Sequence, residues 1–174
     1  MFEKTSIKDV IIITPNLFKD NRGYFFESYN NHKINKVLNF SPIQDNESKS
    51  KFGVLRGIHF QNQPYEQAKL VRVIKGEIQD IAVDLRPDSI TYKQYVSVIL
   101  NENSKKQIFI PKGFGHAFLT LSKEAIVSYK VDNYYNKELD SGIKYNDPSI
   151  NIKWELDSNK IIQSDKDKNL PSLM

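Results

Sequence analysis

Ala68-Lys69-Leu70-Val71-Arg72-Val73-Ile74-Lys75-Gly76-Glu77-Ile78-Gln79-Asp80-Ile81-Ala82-Val83-Asp84-Leu85-Arg86 reads as two strands meeting at the turn Lys75-Gly76. In the second, Ile81, Val83 and Leu85 alternate with Ala82 and Asp84, the period of a half-buried strand. The same pattern continues upstream. Val10–Thr14 is a branched apolar run closed by Pro15-Asn16, Asp20-Asn21-Arg22-Gly23 is a turn, Tyr24–Tyr29 is an aromatic strand-like stretch, and Gly53–Gln61 follows. Downstream come Tyr92–Leu100, Lys106–Ile110, His116–Leu121 and Glu124–Val131, separated by Arg86-Pro87-Asp88, Asn101-Glu102-Asn103 and Pro111-Lys112-Gly113. Ile34, Val37 and Leu38 at helical spacing predict one short helix over Asn31–Leu38. Many short strands with almost no helical periodicity between them predict an all-β antiparallel sandwich or barrel with a few short helices.

The 174 residues contain no repeat or linker, so one domain over residues 1–174 is expected. The tail after Trp154 is polar, but Leu170-Pro171-Ser172-Leu173 predicts that it packs back. The 39% hydrophobic and 26% charged composition excludes disorder. The longest apolar runs fall far short of the ~20 residues that a membrane helix needs. Met1-Phe2-Glu3-Lys4 does not open a secretory signal, and the absence of cysteine excludes disulfides and thiolate chemistry, so a cytoplasmic protein is expected. The formal net charge is +4 and the pI about 9.0. Lysines such as Lys49, Lys51, Lys105, Lys106, Lys160, Lys166 and Lys168 alternate with acids and hydroxyls and form no basic stripe. That pattern favours a small phosphorylated ligand over nucleic acid.

Only three histidines are present. His32 lies in a polar run and reads as a surface residue. His59 lies in Gly53-Val54-Leu55-Arg56-Gly57-Ile58-His59-Phe60-Gln61, and His116 in Pro111-Lys112-Gly113-Phe114-Gly115-His116-Ala117-Phe118. Each fits a catalytic imidazole or one satisfied in the core. Strict alternation puts Arg56 and His59 on opposite faces; a bulge at the flanking glycines would bring them together. With no two histidines close in sequence, a mononuclear metal site is poorly supported. Lys69 shares a face with Val71 and Val73, where a lysine is costly unless paired or given a task. Tyr129 shares a face with Val127 and Val131 and is expected to point inward.

Taken in order, Phe18-Lys19-Asp20-Asn21-Arg22-Gly23-Tyr24-Phe25-Phe26-Glu27, Gln44-Asp45-Asn46-Glu47-Ser48, Gly53–Gln61, Gln67–Val73, Ile110–Leu121, Tyr129–Tyr135 and Gly142–Pro148 resemble the dTDP-4-dehydrorhamnose 3,5-epimerase family. The resemblance runs from about Ile7 to Leu173. It implies a cupin-type jelly-roll β-sandwich, a homodimer whose strands pair across the interface, and no metal or organic cofactor. It also implies roles at the matching positions. His59 is the base that removes protons from C3 and C5 of a nucleotide-linked 4-keto sugar. Tyr129 returns a proton from the opposite side, and Lys69 lies beside the ketone oxygen. Asp167, or alternatively Asp165, orients the histidine. Phe18, Arg22, Glu27, Gln44, Asn46, Arg56, His116 and Tyr135 fall on substrate-pocket positions. The chain departs from the family's common residues at Ile58, where leucine is usual, at Ala68, where glycine is usual, and at Gly115 and Ala117, where the usual pair is alanine and glycine.

The chemistry agrees with this set. Removing a proton alpha to a ketone makes an enolate, and a cation near its oxygen stabilises the transition state more than the ground state. Lys69 and Arg56 can supply that cation. Inversion needs a base on one face of the ring and an acid on the other. A histidine works near neutral pH, and arginine's fork suits a diphosphate. The expected substrate is a dTDP-4-keto-6-deoxyhexose or a GDP-4-keto-heptose for surface polysaccharide, inverted at C3, C5 or both. A cupin ketoisomerase would need no acid opposite the base, and a sugar-binding module would need neither.

Overall fold

The computed structural model describes residues 1–173. The strands are β1 (Phe2–Lys4), β2 (Ile11–Ile13), β3 (Phe18–Asp20), β4 (Gly23–Phe25), β5 (Gln44–Lys51), β6 (Leu55–Gln61), β7 (Lys69–Lys75), β8 (Glu77–Asp84), β9 (Tyr95–Asn101), β10 (Gln107–Ile110), β11 (Phe114–Thr120), β12 (Glu124–Val131) and β13 (Asp140–Gly142). They form a six-stranded sheet in the order β1-β2-β10-β7-β12-β5, a five-stranded sheet in the order β13-β6-β11-β8-β9, and the two-stranded hairpin β3-β4. All pairings within the sheets are antiparallel. The helices are short: α1 (Asn31–Leu38) and α2 (Asp165–Lys168), with a 3₁₀ turn at Ser158–Lys160. The two large sheets stack as a jelly-roll sandwich. β7 and β8 lie in different sheets, so the Lys75-Gly76 turn is a corner between layers. Gly76 makes that corner at φ 82°, where a Cβ would lie 2.2 Å from the carbonyl oxygen of Glu124.

Between the sheets, Val71, Val73, Ile108, Ile110, Ala125 and Val127 meet Ile78, Ala82, Val96, Leu100, Phe114 and Phe118. The outer faces are covered as well. Ile34 of α1 and Phe40 pack on Ile13, Leu70 and Phe109. Ile143, Ile150 and Ile152 pack on Ile58, Ile81, Val83 and Ala117. This cover changes the reading of β8. Its alternation predicts a half-buried strand, yet every residue from Ile78 to Asp84 is buried, because the segment beyond β13 lies over its second face. Tyr24–Tyr29 also departs from expectation: pairing ends at Phe25, and Phe26–Tyr29 leave the hairpin toward α1. The C-terminal segment does pack back, with Leu170 buried and the Leu173 N–H donating to Asp147 at 2.7 Å. No helix among the described residues is long and apolar enough to cross a membrane.

Candidate active site

A cavity of about 500 Å³ opens between the sheets and is closed by the C-terminal segment. From β6 come Arg56 and His59, from β11 His116 and Phe118, from β7 Lys69, from β12 Tyr129, and from α2 Lys166 and Asp167. Arg56 and His59 share this wall because β6 carries an extra residue. His59 pairs with His116, but Arg56 pairs with Phe118, so the register shifts across Gly57 and Ile58. Gly57 sits at φ 118°, and a Cβ there would lie 2.5 Å from the carbonyl oxygen of His116. Only glycine fits that bend.

His59 Nε2 lies 2.7 Å from Asp167 Oδ1. Ser164 caps α2 by accepting the Asp167 N–H, and the Gly57 N–H donates to Asp167 Oδ2, so the carboxylate is held from both sides. Burial works to raise the Asp167 pKa. The bond and charge of His59, with the Gly57 and Ser164 contacts, outweigh it and hold the acid below its ordinary value. Asp165 is exposed and paired to Lys168, so Asp167 is the acid in contact with His59. His116 has its own partner, with Nε2 2.9 Å from Asp80 Oδ2 and both side chains buried. Among the described residues no group of three metal-binding side chains forms.

Lys69 enters the cavity at the start of β7, on the inward side as expected. Burial pulls its pKa down to about 8, against the opposing pull of Asp80 and Asp140. Tyr129 reaches in from β12, where burial pushes its hydroxyl up; the Arg56 charge opposes that rise and Asp140 adds to it. Asp140 in turn accepts from Tyr135 Oη at 3.0 Å and Lys166 Nζ at 2.5 Å.

Of the residues expected at the site, His59, Tyr129, Lys69, Asp167, Arg56 and His116 therefore meet in one cavity. Gln44, Asn46 and Tyr135 stand beside it. Asn46 pairs with Tyr129 across β5 and β12, Gln44 Nε2 donates to Asn46 Oδ1 at 2.9 Å, and exposed Tyr135 is tied to the cavity through Asp140 and Lys166. Phe18, Arg22 and Glu27 are not brought there. Phe18 and Glu27 border a separate hollow near Pro15 and Lys33, and Arg22 sits at the exposed hairpin tip, bonded to Asp20 at 2.6 Å.

The sequence reading missed several members. Asp80 and Asp140 look like ordinary strand acids, and only folding reveals their partners. Gln61 is a clasp: its Nε2 donates to the carbonyls of Tyr65 and Tyr134, and its Oε1 accepts the Asn136 N–H at 2.6 Å. It thereby fixes the loop that carries Tyr135. β5 was also missed as a strand, because Gln44–Lys51 is wholly polar. Its inward face, Gln44, Asn46, Ser48 and Ser50, is nonetheless more buried than its outward face. The available signal was the strict alternation of uncharged Gln44, Asn46, Ser48 and Ser50 with charged Asp45, Glu47, Lys49 and Lys51.

The family model for dTDP-4-dehydrorhamnose 3,5-epimerase matches residues 4–174. The chain is 49% identical to the enzyme of that name from Methanothermobacter thermautotrophicus over 170 residues, covering 97% of this chain and 91% of that one. The crystal structure of the Bacillus anthracis dTDP-4-dehydrorhamnose 3,5-epimerase, with TDP and pyrophosphate bound, superposes with a TM-score of 0.94 at 45% identity, covering 99% of both chains. That of the Legionella pneumophila dTDP-6-deoxy-D-glucose-3,5-epimerase, in complex with dTDP-4-keto-L-rhamnose, gives 0.95 at 41% identity, covering 99% of this chain and 92% of that one. The cupin-type jelly roll expected from the sequence is the fold observed. With this match along nearly its full length, the chain belongs to the dTDP-4-dehydrorhamnose 3,5-epimerase family.

Proposed function

We propose that the protein inverts C3 and C5 of a dTDP-linked 4-keto-6-deoxyhexose, with His59 as base, Asp167 as its orienting partner, Tyr129 as acid and Lys69 beside the ketone oxygen. The observation that carries this reading is that His59 and Tyr129 enter one cavity from opposite sheets, β6 and β12. A ring lying between them has a base on one face and an acid on the other, the arrangement inversion requires. His59 takes the alpha proton, charge develops on the ketone oxygen, and the Lys69 ammonium stabilises the enolate. Tyr129 then donates from the far side; once His59 has released its proton to solvent and Tyr129 has regained one from solvent, the same cycle runs at the second carbon. Arg56 suits the diphosphate. Proton NMR in D₂O, with dTDP- and GDP-linked 4-keto sugars offered separately, tests this directly. Deuterium entering at C3 and C5 of the dTDP sugar, with inverted coupling, is expected. Incorporation only into the GDP sugar, or migration of the carbonyl, would overturn it.

The working range follows from Lys69. A folded pKa of about 8 means the ammonium is present at neutral pH and is lost as pH rises through that value. We therefore expect kcat/KM to fall about tenfold per pH unit above it. Lys69→Arg, which stays charged, should abolish that limb although its absolute rate is lower. Tyr129 cannot supply the limb, because burial moves its pKa upward from 10.0. An unchanged limb in Lys69→Arg would remove Lys69 from this role.

The reading includes a homodimer. The hairpin β3-β4 exposes Phe18, Tyr24 and Phe25 at 62%, 55% and 67%, an aromatic patch that calls for a cover. Seated on a second copy, it would carry Phe18 and Arg22 toward that copy's cavity. Mixing an inactive His59→Asn chain with an inactive Arg22→Ala chain, after unfolding and refolding together, should then restore activity, since hybrid dimers contain one intact site. No restoration would place Arg22 outside the partner's site.

A further inference from the structure

Arg56 is held at the cavity by neutral groups alone. Its Nε–H donates to Ser50 Oγ at 3.0 Å, and an Nη2 N–H donates to the Lys49 carbonyl at 3.3 Å. Arg22 and Arg86, by contrast, are each bound to carboxylates. A guanidinium on a carboxylate has its charge and its fork already engaged. One held by a hydroxyl and a carbonyl keeps both for an anion.

The two bonds also decide which edge is left. Nε and Nη2 lie along one side of the guanidinium plane, so Ser50 and Lys49 together occupy that side. The Nη1–Nη2 edge, which can donate to two phosphate oxygens in parallel, stays free. The anchor is fixed where the arginine is not. Ser50 is buried on the inward face of β5 and pairs with Ala125 of the central core. Arg56 is exposed and stands on β6, in the other large sheet, paired with Phe118. The chain turns from β5 into β6 between them, so the bond ties one sheet to the other at that corner. Ordering a long, exposed side chain opposes binding, and a bond to a buried hydroxyl that exists beforehand removes part of that cost.

We propose that Ser50 is a positioning residue for Arg56: its hydroxyl, with the Lys49 carbonyl, holds one edge of the guanidinium so that the other is presented to the substrate's diphosphate. This rests on the reading of Arg56 as the diphosphate ligand. Ser50 acts through the arginine, and its worth lies in binding more than in the proton transfers.

Ser50→Ala, Arg56→Ala and the double variant, each in the full chain, test it by calorimetric titration with dTDP and by steady-state kinetics. Ser50→Ala should weaken dTDP binding and raise KM by roughly three- to tenfold, the effect of one hydrogen bond, while kcat changes much less. In the Arg56→Ala chain the same change at Ser50 should add nothing, because its effect passes through the guanidinium. Undiminished dTDP affinity in Ser50→Ala would overturn the proposal. So would an equal further loss in the Arg56→Ala chain, which would make Ser50 a part of the fold or a ligand contact in its own right. An Arg56→Ala chain that binds dTDP as tightly as the wild type would instead overturn the diphosphate reading of Arg56 beneath it.

Discussion

His59→Asn should lower turnover about 10²–10⁴-fold, the usual worth of a general base, with dTDP binding nearly unchanged. The ionised Asp167 can only accept, so His59 Nε2–H donates to its Oδ1 at 2.7 Å, which leaves the lone pair on Nδ1 as the basic site. Asparagine keeps the size and polarity of the near part of the ring and has no such lone pair. In the proposed mechanism one base serves both carbons, so deuterium exchange at C3 and C5 should fall together. Asp167→Asn should lose a large part of the same activity by another route. The amide can offer its own N–H to the imidazole and favour the wrong tautomer, and it removes the carboxylate that stabilises the imidazolium. That carboxylate is held ionised at working pH, since its pKa lies below the ordinary value, so the loss in Asp167→Asn should persist across the neutral range. Kinetics with a dTDP-binding control check both variants. Near-full activity in His59→Asn would mean that another group is the base.

Alternating apolar residues in β7 and β12 made the sandwich legible, because one face of each strand is the shared core; in β8 the alternating Ile81 and Val83 mark a strand but lie on its outer, covered face, while Ile78 and Ala82 face the core. What lies outside that core was harder to read. The second cover over β8 comes from Ile143–Ile152, a segment without strand periodicity whose burial depends on a distant part of the chain. β5 could not be found by apolar alternation, since its inward face lines a wet cavity and is polar for that reason. Arg56 and His59 show the limit most directly. Counting residues put them on opposite faces, and Gly53 and Gly57 on either side of Arg56 hinted at the bulge that reunites them, but only the register with β11 fixes where it falls.

The departures from the family's common residues become intelligible as packing. A Cβ on Gly115 would lie 2.5 Å from Cγ2 of Ile58, so the branched isoleucine and the missing methyl are two halves of one adjustment. Ala117 packs behind Gly57, where a Cβ would meet its own at 2.6 Å. Both adjustments lie on the outer side of the wall that carries His59 and His116 and leave their partners Asp167 and Asp80 in contact. The hairpin residues are different. Arg22 and Phe18 could be matched by motif, but a single chain offers no contact that explains them, which is why their test is made between chains.

Tyr129→Phe should separate two steps that His59→Asn loses together. The phenyl ring keeps its packing beside the central core, so the fold should tolerate the change. His59 and Lys69 remain, so the alpha proton can still leave and the enolate can still form. Without an acid on the far side, the His59 side returns a deuteron to the face from which the proton was taken. Net inversion should therefore drop about 10²–10⁴-fold, while wash-in of solvent deuterium with retained configuration falls much less. Raising the pH should not reproduce this split in the wild type before the Lys69 limb appears, because burial keeps the Tyr129 hydroxyl protonated beyond its ordinary range. Following C3 and C5 separately by proton NMR gives exchange and inversion from the same sample. Equal loss of both would mean that Tyr129 assists proton removal or substrate binding, and the far-side acid would have to be sought elsewhere in the cavity wall.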